Sequence, residues 1–444
     1  MKKFQPYPGT RDFYPNEMLL RNWFFEKQRE VCRKYGYEEY SAPILEYTDL
    51  YRSKSSEEIV NEQLYTFIDR GNREVSIRPE MTPTLARMIA SRDQSYVPPL
   101  RWFSIANFMR YERPGKGRLR EFYQLNVDLI GSNTVYADVE ILSVAMDILK
   151  SYGASEDQFI VRFSHRALLD LWLGLTDKEK LRKIGRIIDK KEKITQEEFD
   201  KELKSICEEQ EIKAIYNFFQ LRLESYQDLL KDIPQKSRDQ ISEILNHLNQ
   251  MRKYLSVNHN PKNLIFDPTI VRGFDYYTGL IFEIYDTHPE NRRAIFGGGR
   301  YDNLIGQFSK ESLPAIGFGM GDVTLEAFLK NHRLIPEITT KQGFYFTLFD
   351  ENLYVEYLKI AHLLRKYHLS IEISLSRPKK LGKEFELAEK KGYRFCLILG
   401  EDEFKKQVIK VKDLTTGKET ELPLEETKLI DGLYSLMQGQ NKRS

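Results

Sequence analysis

The sequence predicts an α+β protein: an antiparallel sheet flanked by helices, interrupted by a helical insertion, and followed by a separate small α/β domain. Three observations carry that expectation. Two long β-rich runs, LRWFSIANFMRYE and EFYQLNVDLIG, follow one another across a short basic loop, and strands joined in this way favour antiparallel pairing. Between about Arg166 and Val257 the chain turns helical and highly charged, with almost no β signal. After NHRLIPEITTKQ the period shifts to short strands alternating with helices, the pattern of a doubly wound unit.

The elements follow in order. From Asn16 to about Tyr35, Leu19, Leu20, Trp23, Phe24 and Val31 fall at helical spacing, and Gly36 suits the C-terminal cap. Pro43 opens an extended segment, PILEYTDLY, leading to a helix. LYTFID and EVSIR flank Arg70-Gly71-Asn72 and read as a hairpin, and Thr82-Pro83 starts a helix in RPEMTPTLARMIAS. After the two long strands and the helical block, strands return at LIFDPTI, LIFEIYD and AIFGGGRYDNL, so the block reads as an insertion into a β-rich domain. GFYFTLF, LSIEISL and RFCLILG are the strands of the last domain, with ENLYVEYLKIAHLLRKY and KLGKEFELAEKKG as its helices.

Composition excludes several classes. Of 444 residues, 41% are apolar and 30% charged, an ordinary globular balance. With 68 Lys+Arg against 66 Asp+Glu the net charge is +2, so any nucleic-acid contact must come from local basic patches. Cys32, Cys207 and Cys396 are far apart with no CxxC pair, which fits neither a disulfide framework nor a zinc site and places the chain in the cytoplasm. No run approaches a membrane span, and the proline-broken start predicts no signal peptide. There is no GxSxG and no HExxH, and the seven histidines are scattered.

The richest stretch is FMRYERPGKGRLREF, residues 108 to 122. Arg110, Arg113, Lys116, Arg118 and Arg120 are interleaved there with Glu112 and Glu121. Arg110 and Glu112 share one strand face, and a guanidinium beside a carboxylate suits a ligand with both an anion and a donor edge, such as a nucleotide's phosphate and adenine amine. A solvated hairpin tip fits the same residues. Glu80 and Thr82 in RPEMT alternate before a helix, where they suit either an ammonium group or an ordinary cap. GGGRYDNL and GFGMGD lack phosphate-loop patterns, and their glycines say only that a backbone or a ligand comes close. RGFDYYTG, residues 272 to 279, crowds an arginine, an aspartate and two tyrosines into eight positions.

Taken together and in order, these stretches resemble the histidyl-tRNA synthetases, a class II aminoacyl-tRNA synthetase family, over essentially the whole chain. YPGTRDFYP and the Pro43 segment resemble the N-terminal region and the dimer-forming first motif, MRYE-loop-RLREF the second, and GFGMGD with its helix the third; RGFDYYTG closely matches the histidine-binding signature. The resemblance implies a class II antiparallel sheet catalytic domain in two parts, residues 1–165 and 259–332, with a helical insertion at 166–258, then an α/β anticodon-binding domain at 341–435. It implies a cytoplasmic homodimer acting on L-histidine, ATP and tRNA(His), with Mg²⁺ bridging the ATP phosphates and no metal held by the protein alone. Carried over residue by residue, Arg110 contacts the α-phosphate, Glu112 the adenine amine, Phe122 stacks on adenine and Arg118 reaches the outer phosphates. Glu80, Thr82 and Gln124 hold the substrate ammonium, Arg272 binds its carboxylate and the α-phosphate, and Tyr277, beside Tyr276, reads the imidazole with Asp128. Arg110 and Arg272 are thus the catalytic cations. Arg113 and Lys116 face the acceptor end of tRNA, while Arg377 and Lys383, with Lys379 and Lys380, face the anticodon stem. A pocket hydrogen-bonding both ring nitrogens rejects isosteres by roughly 10⁴-fold or more, so no editing domain is expected.

Two departures stand out. Family members commonly carry GLER in the third motif, its arginine on the γ-phosphate; here Gly321-Asp322-Val323-Thr324 puts threonine in that place. Losing one such donor costs roughly 3 to 4 kcal/mol in the transition state, so Arg118 or Arg300 is expected to take over. Asp128 stands where the family often has glutamate. A non-catalytic, histidine-sensing regulatory subunit of ATP phosphoribosyltransferase is the alternative, favoured only by Thr324; a class II enzyme for proline or glycine would not need the Asp128/Tyr277 pair.

Overall fold

The computed structural model describes residues 4–52, 59–91, 96–115, 117–191, 194–231, 233–271, 276–291, 293–309, 312–336, 341–348, 350–375 and 380–438. It divides into two compact units, Met1–Pro336 and Glu337–Ser444. In the first unit, α1 (Pro15–Lys34) leads to β1 (Glu38–Glu39), β2 (Leu45–Tyr47), α2 (Thr48–Arg52), β3 (Tyr65–Ile68), β4 (Glu74–Ile77), α3 (Thr82–Ala90), β5 (Leu100–Met109), β6 (Glu121–Ile130), α4 (Val135–Ser151) and β7 (Phe159–His165). The insertion follows as α5 (Leu168–Leu173), α6 (Lys178–Lys190), α7 (Gln196–Lys204), α8 (Glu209–Phe218) and α9 (Gln235–Leu255). β8 (Leu264–Phe266), β9 (Leu280–Asp286), β10 (Ala294–Arg300), β11 (Ala315–Gly321) and α10 (Asp322–Asn331) complete the unit.

α1 starts at Pro15, where the missing N–H costs nothing, and Gly36 follows its end with φ +78° in the left-handed region. Its buried face is Phe24, Phe25, Gln28, Val31 and Cys32. Leu19, expected on that face, is 41% exposed, because it lies roughly 140° around the helix from Phe24 at 100° per residue.

Eight strands form one sheet in the order β1-β5-β6-β11-β10-β9-β7-β8. β5 and β6 pair antiparallel over ten residues, from Leu100 opposite Ile130 to Met109 opposite Glu121. The sheet is not purely antiparallel: β1 runs parallel to β5, and β8 parallel to β7. Parallel neighbours need a long crossover, and for β7 and β8 that crossover is the whole helical insertion. Its Ile184, Phe199, Phe218, Leu245 and Leu248 share one core with Ile141 of α4, Phe328 of α10 and the sheet's Val127, Phe282 and Phe318. A small sheet, β2-β4-β3, carries the predicted hairpin beside it.

The second unit holds β12 (Lys341–Phe346), α11 (Tyr354–Lys366), β13 (Ile371–Ile373), α12 (Leu381–Lys390), β14 (Tyr393–Ile398), α13 (Glu401–Lys405), β15 (Val408–Asp413), β16 (Glu419–Pro423) and α14 (Glu426–Gln438). β13, β12 and β14 are parallel, as the alternation implies. β15 and β16 add an antiparallel hairpin to the alternating strands and helices expected from the sequence. Its signal is local: Ile409 and Val411 point inward between Lys410 and Lys412, and Gly417 turns the chain at φ +70°. No described helix is long and apolar enough to cross a membrane.

Candidate active site

One face of the large sheet packs on the core, and the other carries the site. On that open face of β6 stand Phe122, Gln124, Asn126 and Asp128, two residues apart. β11 lies beside them with Gly317 opposite Asp128, Gly319 opposite Asn126 and Gly321 opposite Gln124; β10 continues the row with Gly299 opposite Gly317 and Gly297 opposite Gly319. The glycines are there because polar side chains lie across them. A Cβ on Gly317 would overlap Asp128 Oδ1, one on Gly319 would come within 2.7 Å of Gln124 Nε2, and one on Gly299 within 3.0 Å of the Tyr277 ring. GGGRYDNL and GFGMGD are therefore a glycine floor under the site, not phosphate loops.

At one end of this floor is a pocket of about 230 Å³ lined by Arg110, Glu112, Arg118, Phe122, Gln124 and Thr324, among others. Arg110 leaves the end of β5, its Nε donates to the carbonyl of Pro79 at 2.9 Å, and its guanidinium sits 5.2 Å over the Phe122 ring. The arginine of the basic loop is thus anchored to the RPEMT stretch. Arg118 Nη1 lies 3.5 Å from Glu112 Oε2 and is solvent-facing, so the Coulomb contact between them is weak. Thr324 is turned inward: its hydroxyl donates to the carbonyls of Ile295 at 2.5 Å and Gly321 at 3.3 Å. The turn at Gly117, φ +80°, passes over its methyl group, bringing the Arg118 loop above the threonine.

Next to it lies a second, buried polar cluster. Asp128, 4% exposed, accepts a hydrogen bond from the Tyr301 hydroxyl at 2.5 Å. Burial pushes the Asp128 carboxyl up to about 7, partly opposed by that hydrogen bond. Tyr276 donates to the buried Glu80 at 3.0 Å, and its ring meets that of Tyr277 at 5.1 Å. Burial, then the nearby carboxylates Glu80 and Asp128, hold the Tyr277 hydroxyl well above its ordinary range, so it stays a neutral donor. Met81, not Thr82, occupies the cap position of α3, and no side chain caps it; the capping alternative for Glu80 and Thr82 does not hold. Thr82 instead lies beside Tyr276, where it opposes the rise that burial gives the Tyr276 hydroxyl.

Arg300 does not take the place of the third-motif arginine. Its side chain is 8% exposed and committed to Asp138 at 2.5 Å, to Asp302 at 3.2 Å and to the Ser132 carbonyl at 2.8 Å, and it does not line the pocket of Arg110 and Glu112. Arg113 is exposed, outside both clusters, and Lys383 is exposed on the second unit. Lys116, Arg272, Arg377 and Lys379 lie outside the described residues. Two contributors had no local signal in sequence. Tyr301 reaches Asp128 across 173 positions, and Arg11, in YPGTRDFYP, donates to Asp322 Oδ2 at 2.5 Å while the backbone N–H of Tyr123 donates to its other oxygen at 3.0 Å.

A largely antiparallel sheet with an arginine-lined pocket on its open face, a buried polar cluster beside it and a further α/β unit after it is the build of a class II aminoacyl-tRNA synthetase. Residues 9–324 match the family model for histidyl-tRNA synthetase, and residues 338–429 match that for an anticodon binding domain. The histidine–tRNA ligase of Leptospira biflexa is 47% identical over 416 residues, covering 92% of this chain and 93% of its own; that of Opitutus terrae is 35% identical, covering 97% and 98%. The crystal structure of histidyl-tRNA synthetase from Nostoc sp. PCC 7120 superposes with a TM-score of 0.81 at 22% identity, covering 97% of this chain and 99% of that one. The chain belongs to the histidyl-tRNA synthetase family.

Proposed function

We propose that the protein joins L-histidine to tRNA(His) at the expense of ATP. The single observation that carries this is one glycine-floored sheet face that presents both a pocket lined by Arg110, Glu112, Arg118 and Phe122 and a buried cluster built around an aspartate and three tyrosines. Histidine's carboxylate oxygen attacks the α-phosphorus, the bond to the bridging β-oxygen breaks, and pyrophosphate leaves. The acyl group of histidyl-adenylate then passes to a ribose hydroxyl of the tRNA's 3′-terminal adenosine, releasing AMP. This chemistry needs position and charge neutralisation more than a protein nucleophile.

Arg110, held by Pro79 and Phe122, would meet the α-phosphate, the role the family resemblance also gives Arg272; Glu112 would take the adenine amine and Phe122 the ring. Glu80, Thr82 and Gln124 receive the ammonium, and Asp128 and Tyr277 the two ring nitrogens. With Thr324 turned inward, Arg118 on the loop above it is the cation for the outer phosphates. Mg²⁺ would be an ion carried on those phosphates, since it is ordinarily held by phosphates, waters and one or two carboxylates. Arg113 and Lys116 would approach the acceptor end, Arg377 and Lys383 the anticodon stem. A homodimer is supported by exposed Ile44, Leu45, Tyr47, Phe67 and Ile68 on and around the small sheet that follows the first motif. A cytoplasmic setting is supported by three free cysteines. The regulatory-subunit reading is less well supported, given the anticodon-binding domain and the relatives' activity.

The test is charging of purified tRNA(His) with labelled histidine. Charging of that tRNA alone, weakening steeply with salt, is expected, and replacement of Arg113 or Lys383 by alanine should flatten the salt slope by about one unit per phosphate contact. Histidine binding without charging would point to the regulatory reading.

A further inference from the structure

The insertion is joined to the amino-acid pocket by a chain of buried polar contacts that the proposed chemistry does not use. His247, on insertion helix α9, places Nε2 2.6 Å from Asp138 Oδ2 on α4. The fully buried Asp138 uses its other oxygen for Arg300, which donates from Nε at 3.1 Å and from Nη2 at 2.5 Å. Arg300 also donates to Asp302, whose second oxygen accepts the Thr278 hydroxyl at 3.0 Å. The Arg300 carbonyl accepts the Thr278 N–H at 2.8 Å. Thr278 immediately follows Tyr277.

Packing makes the chain stiff. A Cβ on Gly279 would come within 2.9 Å of Arg300 Cδ, so the signature segment rests on the Arg300 stem, while the Tyr277 ring rests on Gly299. The backbone around Tyr277 is thereby held from one side by Arg300 and from the other by the floor of β10. His165, at the end of β7, faces the same cluster; burial, then His247, pull its pKa down to about 4, with Asp138 opposing and Arg300 adding to the fall. It therefore remains neutral and accepts the Ala167 N–H. Asp138 is thus held by Arg300 from β10 and by His247 from the insertion's long helix.

We infer that His247 and Arg300 are positioning residues for the histidine pocket, through which the insertion sets how tightly the imidazole is read. The inference rests on the proposed amino-acid site. A carboxylate oxygen buried with its donor removed is costly, and Asp138 relieves that cost by drawing the Arg300 guanidinium off Asp302, the carboxylate that holds the Thr278 hydroxyl. Tyr277 then loses its register over Gly299, while Arg110 and Glu112, which lie in the loop between β5 and β6 and not on a strand face, and Phe122 on β6 do not move. Affinity for histidine should change and affinity for ATP should not.

The experiment is histidine-dependent ATP–pyrophosphate exchange with His247→Ala and His247→Gln, measuring KM for histidine and for ATP separately. His247 is partly exposed, so both variants are expected to fold, and their thermal melting is recorded alongside. Expected is a rise in KM for histidine of about 2- to 12-fold in His247→Ala, the span of one ordinary hydrogen bond, with KM for ATP held and most of the loss restored by glutamine, whose amide can still donate to Asp138. An unchanged KM for histidine, an equal rise in both KM values, or a glutamine variant no better than alanine would overturn the inference, whatever the melting temperature. Calorimetric titration with histidine reads the same pocket without catalysis. If the unaltered protein neither binds nor activates histidine, it is the proposed function that fails.

Discussion

Replacing Asp128 by asparagine should make the protein more stable and a worse enzyme. The carboxyl is 4% exposed, and its pKa of about 7 stands against an ordinary 3.8. At about 1.4 kcal/mol per pH unit, that gap amounts to about 4 kcal/mol by which ionised Asp128 opposes folding. The sign follows from linkage: a raised folded pKa means that the native state holds the proton longer. The group's contribution is therefore fully present below about pH 4 and is lost as pH rises towards 7. Asparagine cannot ionise, so the stability of Asp128→Asn minus that of the wild type should grow by about 3 kcal/mol between pH 5 and pH 8. Weakening of the Tyr301 hydrogen bond subtracts about 1 kcal/mol throughout. Urea unfolding at the two pH values measures this. In parallel, loss of a charged acceptor for an imidazole N–H should raise KM for histidine about 10- to 100-fold. A pH-independent stability difference would refute the burial argument, and an unchanged KM would remove Asp128 from the pocket.

Arg118→Ala should raise KM for ATP and lower kcat about 10²-fold or more if Arg118 serves where Thr324 cannot. Steady-state exchange with both constants unchanged would exclude it. Gly317→Ala places a methyl group where Asp128 Oδ1 and the Val127 carbonyl already sit. KM for histidine should rise about 5-fold or more, whereas Gly319→Ala, which meets only the end of the Gln124 side chain, should cost less; equal effects in exchange kinetics would contradict the described floor.

Much of this was legible in the sequence because it is periodic or local. The β5–β6 pair announces itself by length and by the short loop between its strands, and half of the pocket beside it is lined by residues close in the chain, from Arg110 to Gln124. The charged helical texture of the insertion was equally plain, although its sharing of one core with the sheet was not. What escaped was long-range. The approach of Tyr301 to Asp128 joins two ordinary polar positions, and the burial of Arg300 depends on Asp138, 162 residues earlier. An arginine after three glycines looks like a phosphate ligand until its carboxylate is seen. The exposed Leu19 shows the opposite limit: helical spacing says that a stripe exists, not where its edge falls.

The most direct test is ATP–pyrophosphate exchange with the purified protein and Mg²⁺, run with histidine and with each other amino acid. Exchange with histidine alone is expected, and it would establish adenylate formation despite Thr324. Exchange with another amino acid, or none in a protein that still binds histidine, would contradict it, and in the latter case Thr324→Arg is the variant to make next.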